Sequence, residues 1–107
     1  MNNLALGKKG EKAALSHLKK IGYQILQTNV RTRFSEIDII ANDNQTICFV
    51  EVKTRRSTRK GLPREAVTLA KQKKIIQGAT YYLKKNGLFD NKIRFDVVEV
   101  FKQNDNT

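Results

Sequence analysis

Asp38, Glu51 and Lys53 are charged side chains standing inside apolar strand-like runs. Asp38 interrupts Ile37-Asp38-Ile39-Ile40, and Glu51 and Lys53 interrupt Phe49-Val50-Glu51-Val52-Lys53. Strand side chains alternate, so Glu51 and Lys53 share one face while Val50 and Val52 share the other. Two or three carboxylates on one face are hard oxygen ligands, the type that Mg2+ and Mn2+ prefer. Such an ion, held with waters and a phosphate oxygen, activates a water and neutralises charge on the phosphoryl transition state. A lysine two residues beyond a ligating Glu reaches the same site, where it orients or helps deprotonate the water and stabilises developing negative charge. The chemistry is hydrolysis of a phosphodiester.

Whether Asp38 joins that face depends on the loop Asn42-Asp43-Asn44-Gln45. A two-residue Asn44-Gln45 turn pairs Asp43 with Thr46 and sets Asp38 opposite Glu51. A turn at Asp43-Asn44 makes them diagonal neighbours on one face. A three-residue loop separates the faces unless a bulge restores them. Glu11 is a third carboxylate. Helical steps lead from it to Leu15 and Leu18, on or beside the stripe that packs on the sheet. A place in the first helical turn would also suit an anion with no ligand involved. Equally, Asp38, Glu51 and Lys53 could form a solvated ladder of ion pairs, which spacing alone accounts for as well as a metal site.

These residues need elements to hold them. A first helix is predicted over about Gly7–Ile21, with Leu15, Leu18 and Ile21 inward and Gly22 as its stop. Strands follow at Tyr23–Val30, Glu36–Ala41 and Thr46–Thr54. Pro63, with Glu65 behind it, begins a second helix to about Asn86, closed by Gly87. Ile93–Phe101 is the last strand. The order αβββαβ makes an α/β domain with a mixed sheet flanked by helices. One domain covers residues 1–107, with a polar, frayed tail from about 102.

The chain has 107 residues, which fits one domain and excludes a large multidomain enzyme. No apolar stretch approaches the roughly 20 residues that span a bilayer. No secretory signal layout is present at the start, and the single Cys48, with no internal disulfide partner, suits a reducing cytoplasm as a small buried side chain. Twenty-one Lys and Arg against ten Asp and Glu give a net charge of +11. Such a field attracts polyanions, and nucleic acid is the expected partner. Arg55, Arg56, Arg59, Lys60, Arg64, Lys71 and Lys74 follow the carboxylates closely in the chain, so they are the expected phosphate contacts. Tyr81 and Tyr82 are expected in the core, His17 at a half-buried boundary, and Asp96 in a structural hydrogen bond or ion pair. Glu36 has Arg31 or Arg33 as a plain ion-pair partner, and otherwise could support Asp38.

Gly10-Glu11, Glu36-Ile37-Asp38 and Phe49-Val50-Glu51-Val52-Lys53-Thr54-Arg55 resemble the bacterial YraN family. The likeness continues through Ala66-Val67, Lys71-Gln72, Lys74, Ala79 and Arg94-Phe95-Asp96-Val97-Val98, so it covers nearly the whole chain. Ser35 stands where the family usually has Gly. The resemblance implies the PD-(D/E)XK, restriction endonuclease-like fold, and extends more distantly to archaeal Holliday junction resolvases. On that pattern Glu11, Asp38 and Glu51 are the implied metal ligands and Lys53 the implied catalytic lysine. A Mg2+- or Mn2+-dependent endonuclease acting on DNA, branched or otherwise structured, is the activity implied. A binding module that keeps the fold without catalysis is the alternative. Action on two strands of a junction requires two sites and hence a homodimer.

Overall fold

Gly22 and Gly87 close the two helices with backbone angles that a side chain would strain. The computed structural model describes residues 3–55 and 68–101. Its elements are α1 (Asn3–Lys20), β1 (Gln24–Arg31), β2 (Glu36–Asp43), β3 (Thr46–Arg55), α2 (Leu69–Lys85) and β4 (Lys92–Phe101). At φ +100° Gly22 turns the chain so that the N–H of Tyr23 donates to the Leu18 carbonyl at 2.9 Å and its own N–H to Lys19 at 3.1 Å. Gly87, at φ +67°, does the same after α2, with Leu88 donating to Leu83. Carbonyls that would otherwise be orphaned are thereby satisfied.

The strands form one sheet in the order β1-β2-β3-β4. The first three are antiparallel, and β4 returns parallel to β3 after the α2 crossover. Both faces of the centre are covered. Ala14 and Leu18 of α1 pack on Ile39, Ala41, Cys48 and Val50. On the other side, Ala79, Tyr82 and Leu83 of α2 pack on Val30, Ile37, Ile40, Ile47 and Phe49. Two covered faces explain why Ile39-Ile40-Ala41 is apolar without alternation. Phe49 is the pivot of the α2 side, edge-on to Tyr82 and stacked 5.4 Å from Phe95.

The β2–β3 connection is the two-residue turn. Asn44 and Gln45 both have positive φ, and Asp43 pairs with Thr46. That geometry matches the right-handed twist of the flanking strands.

Several expectations need correction. The helix α1 begins at Asn3 rather than Gly7, so Glu11 lies in its interior, and the first-turn explanation for its charge fails. Ile21 is not inward: it follows the last helical turn and is 53% exposed. In β1 a bulge between Ile25 and Gln27 interrupts the regular alternation of its side chains. The α2 helix starts at Leu69, because Thr68 is an extended cap whose hydroxyl accepts the Lys71 N–H at 3.2 Å. The expected start at Pro63 and Glu65 lies outside the described residues. Only Tyr82 of the tyrosine pair is buried; Tyr81 is exposed, as is His17.

Candidate active site

The site is built where β2 and β3 part. Their ladder runs from Asp43↔Thr46 to Ile39↔Val50 and stops one residue short of Asp38 and Glu51. There the Asp38 carboxylate replaces the ladder: its Oδ2 accepts the backbone N–H of Val52 at 2.8 Å. The local backbone is reshaped around Asp38. Ile37 packs with the α2-side cluster and Ile39 with the α1-side cluster, so strict alternation breaks between them. On β1, Thr28 pairs with Ile39 and Val30 with Ile37. The residue between, Asn29, has φ +52°, a left-handed kink facing Asp38.

Beyond the parting lies a cleft of about 500 Å³ between the sheet and the first turns of α2. Asp38, Glu51 and Lys53 line it together. Lys53 Nζ stands 3.1 Å from Glu51 Oε1, both side chains about one-third exposed. Lys71 and Lys74 reach the cleft from α2, and Phe49, Phe95 and Val97 give it an apolar wall. Glu11 does not line the cleft, although its charge is felt at Asp38. Gly10 sets the approach of α1. A Cβ there would collide with the Thr54 hydroxyl, so only glycine lets α1 lie so close to the site end of β3.

Burial holds the Asp38 carboxyl above its ordinary range, the Val52 N–H opposes this, and the charges of Glu11, Glu51 and Glu36 push it up further. Among the described residues no three His, Cys, Asp or Glu side chains form a ready-made metal cage. The donor set still suits a hard divalent ion, because crowded carboxylates offset by one N–H are relieved by added positive charge.

The remaining predicted residues fall in different places. Arg55, at the end of β3, is 4.0 Å from Glu99 across the β3–β4 pair. Arg56, Arg59, Lys60 and Arg64 lie outside the described residues. Glu36 pairs with Arg31 at 3.6 Å, the plain option. Both carboxylate oxygens of Asp96 accept from Arg94 Nε, at 3.0 and 2.9 Å. Arg94 also donates to Asp43 and to the Tyr23 hydroxyl, so this group ties β4 to the far end of the sheet. Cys48 is fully buried, as expected. Sequence reasoning missed the apolar wall of the cleft. Phe95 and Val97 carry no signal of it in the sequence, because strand periodicity cannot tell a covered face from an open one.

Four strands in this order with a helix on each face, and an acidic parting between the second and third, define a restriction endonuclease-like α/β domain. The sequence model of the uncharacterised protein family UPF0102 matches residues 10–100, and the chain belongs to that family. It is 50% identical over 99 residues to a UPF0102 protein of Desulforapulum autotrophicum, covering 92% of this chain and 82% of that one. A UPF0102 protein of Caldicellulosiruptor saccharolyticus is 48% identical over 101 residues, covering 94% and 86%. One from Clostridioides difficile is also 48% identical, covering 94% and 89%. No described helix is long and apolar enough to cross a membrane.

Proposed function

We propose that the protein is a metal-dependent endonuclease that hydrolyses phosphodiester bonds of DNA, with branched or otherwise structured DNA as its substrate class. The observation that carries this reading is the setting of Asp38. A carboxylate is held at a strand parting by one backbone N–H, next to Glu51 and Lys53 in a cleft with two lysines at its edge. A structural ion pair has no need of a kinked strand or an open cleft.

Asp38 and Glu51 would hold the ion, and Glu11, outside the cleft, would add negative charge that its neighbour Asp38 already feels. When bound, Mg2+ or Mn2+ supplies an activated water and neutralises phosphate charge. Lys53, kept close by Glu51, orients the nucleophile and balances developing negative charge. Lys71 and Lys74 hold the phosphates that flank the scissile bond. Cutting two strands of a junction would engage two copies of the chain.

One observation favours the second reading, a DNA-binding module without catalysis: the three carboxylates do not converge on one point among the described residues. The deciding experiment uses labelled single-stranded, duplex, flap and four-way-junction DNA with Mn2+ or Mg2+. The expected result is metal-dependent cutting that Asp38→Ala and Lys53→Ala abolish while DNA affinity stays within about threefold. Binding without cutting on every substrate would establish the module instead.

A further inference from the structure

A second groove, of about 760 Å³, runs along the outer face of α2 beside the Thr32–Ser35 turn. It adjoins the cleft, since Phe34 and Ile76 line both. The two differ in charge. The cleft is lined by acidic as well as basic side chains, whereas Arg31, Arg33, Lys84 and Lys85 line the groove with no acidic residue among its walls. All four are exposed. Arg31 does meet Glu36 at 3.6 Å, but with 83% and 51% of the two side chains in solvent that pair is weak.

The other three cations have no acidic partner among the described residues, and each lies over a ring. Arg33 is 5.0 Å from the centre of Phe34, Lys84 is 6.0 Å from that of Phe89, and Lys85 is 6.0 Å from that of Tyr81. Tyr81 is 47% exposed, while its neighbour Tyr82 supplies the core contact. About half of the Tyr81 surface is therefore left open at the groove, with Lys85 over the ring. Cations along a groove with an open aromatic face are the recurring means of holding a single strand: phosphates meet the charges and bases stack on the ring. A duplex offers no such base faces, because its bases are stacked on each other.

We propose that this groove binds single-stranded DNA, with phosphates on Arg31, Arg33, Lys84 and Lys85 and a base stacked on Tyr81, so that one strand runs from the groove into the cleft. The proposal rests on DNA being the partner in the reading above, and not on cleavage.

The test is fluorescence anisotropy with the full chain in EDTA, using labelled oligothymidylate, a duplex of equal length and oligouridylate. The Lys84→Glu/Lys85→Glu variant is expected to weaken oligothymidylate binding about tenfold at low salt and to flatten its salt dependence. Tyr81→Ala should also cost on the order of tenfold on the single strand and leave duplex binding unchanged, with Tyr81→Phe retaining affinity. These positions are exposed on a helix, and circular dichroism with a thermal melt checks that each variant folds. Unchanged single-strand affinity in both variants, with weaker binding by Lys71→Glu/Lys74→Glu, would overturn the groove and leave the proposed function standing. Equal weakening on duplex and single strand in Tyr81→Ala would overturn the stacking role. Tighter binding to oligouridylate would overturn DNA as its ligand. No binding of any of the three by the unaltered chain would overturn the groove, while cutting of flap and junction DNA with Mn2+ decides the proposed function separately.

Discussion

Asp38 sits between Ile37 and Ile39, which are 5% and 0% exposed, so its carboxylate is aimed by packed neighbours rather than by solvent. Its ionised form is costly there, since burial and three nearby carboxylates outweigh a single N–H. The sign of the pH effect follows. The folded pKa lies above the unfolded one, so between the two values the folded state holds more protons, and stability falls as pH rises through that window. Asp38→Asn removes the charge while an amide oxygen can still accept the Val52 N–H. We expect this variant to melt at a higher temperature than the unaltered chain near neutral pH without divalent ions. The difference should shrink as acid protonates Asp38, which thermal melts over a pH series would reveal. With Mn2+ the order should reverse, because a ligand of the folded state raises its melting temperature and Asp38→Asn weakens the binding of that ligand. Glu51→Gln should likewise blunt the Mn2+-induced rise with little change in the metal-free melt, since Glu51 is partly exposed and its partner Lys53 can turn to water.

At the scale of elements, the site depends on how closely two helices approach the sheet. Gly10 places α1 against Thr54, and Gly78 places α2 against the hydroxyls of Ser35 and Thr32. Alanine at position 10 would gain up to about 1 kcal/mol of helix propensity. The packing decides otherwise. A Cβ there would meet not only the Thr54 hydroxyl but its Cβ at 3.0 Å and Cγ2 at 3.1 Å, so rotating the threonine does not clear the space. Overpacking of this kind costs roughly 1–3 kcal/mol. Gly10→Ala is therefore expected to destabilise in urea denaturation, and pairing it with Thr54→Ala should recover part of the stability. Additive effects in that double-mutant cycle would mean the helix does not rest on Thr54. Ser35 poses the complementary case. Its hydroxyl is buried without a hydrogen-bond partner among the described residues, so Ser35→Ala should be neutral or stabilising by up to about 1 kcal/mol.

For the whole molecule, a charge of +11 on 107 residues governs encounter with any polyanion. DNA affinity should fall steeply with salt. Replacing Lys71 and Lys74 by Gln should reduce the logarithmic slope by roughly 0.9 for each duplex phosphate that these lysines neutralise, measured by titration at several salt concentrations. If the slope does not change, the two lysines at the cleft do not touch phosphate, and the field of the whole surface acts without them. Charge was fully legible in the sequence, because it needs no coordinates. Its distribution was not. The cations after β3 are close together in the chain and so stand out in a linear reading. Arg33, Lys84 and Lys85 come from two distant segments that only the packing of α2 on the β1–β2 turn brings to one groove.

The sequence by itself determined the element order, the mixed sheet and the shared face of Glu51 and Lys53, because helical and strand periods are local properties of the chain. It also determined the two-residue hairpin as one of a few registers, since turn chemistry and strand alternation constrain each other. Tertiary structure decided what local rules leave open. It ended the β2–β3 ladder at Ile39 and turned Asp38 to the Val52 N–H, and it buried Tyr82 while leaving Tyr81 in solvent. It likewise started α1 far enough before Glu11 to remove the helix terminus as the reason for that charge. Each of these depends on which surface another segment covers. That is a sum of non-local contacts, invisible to any window of the chain read alone.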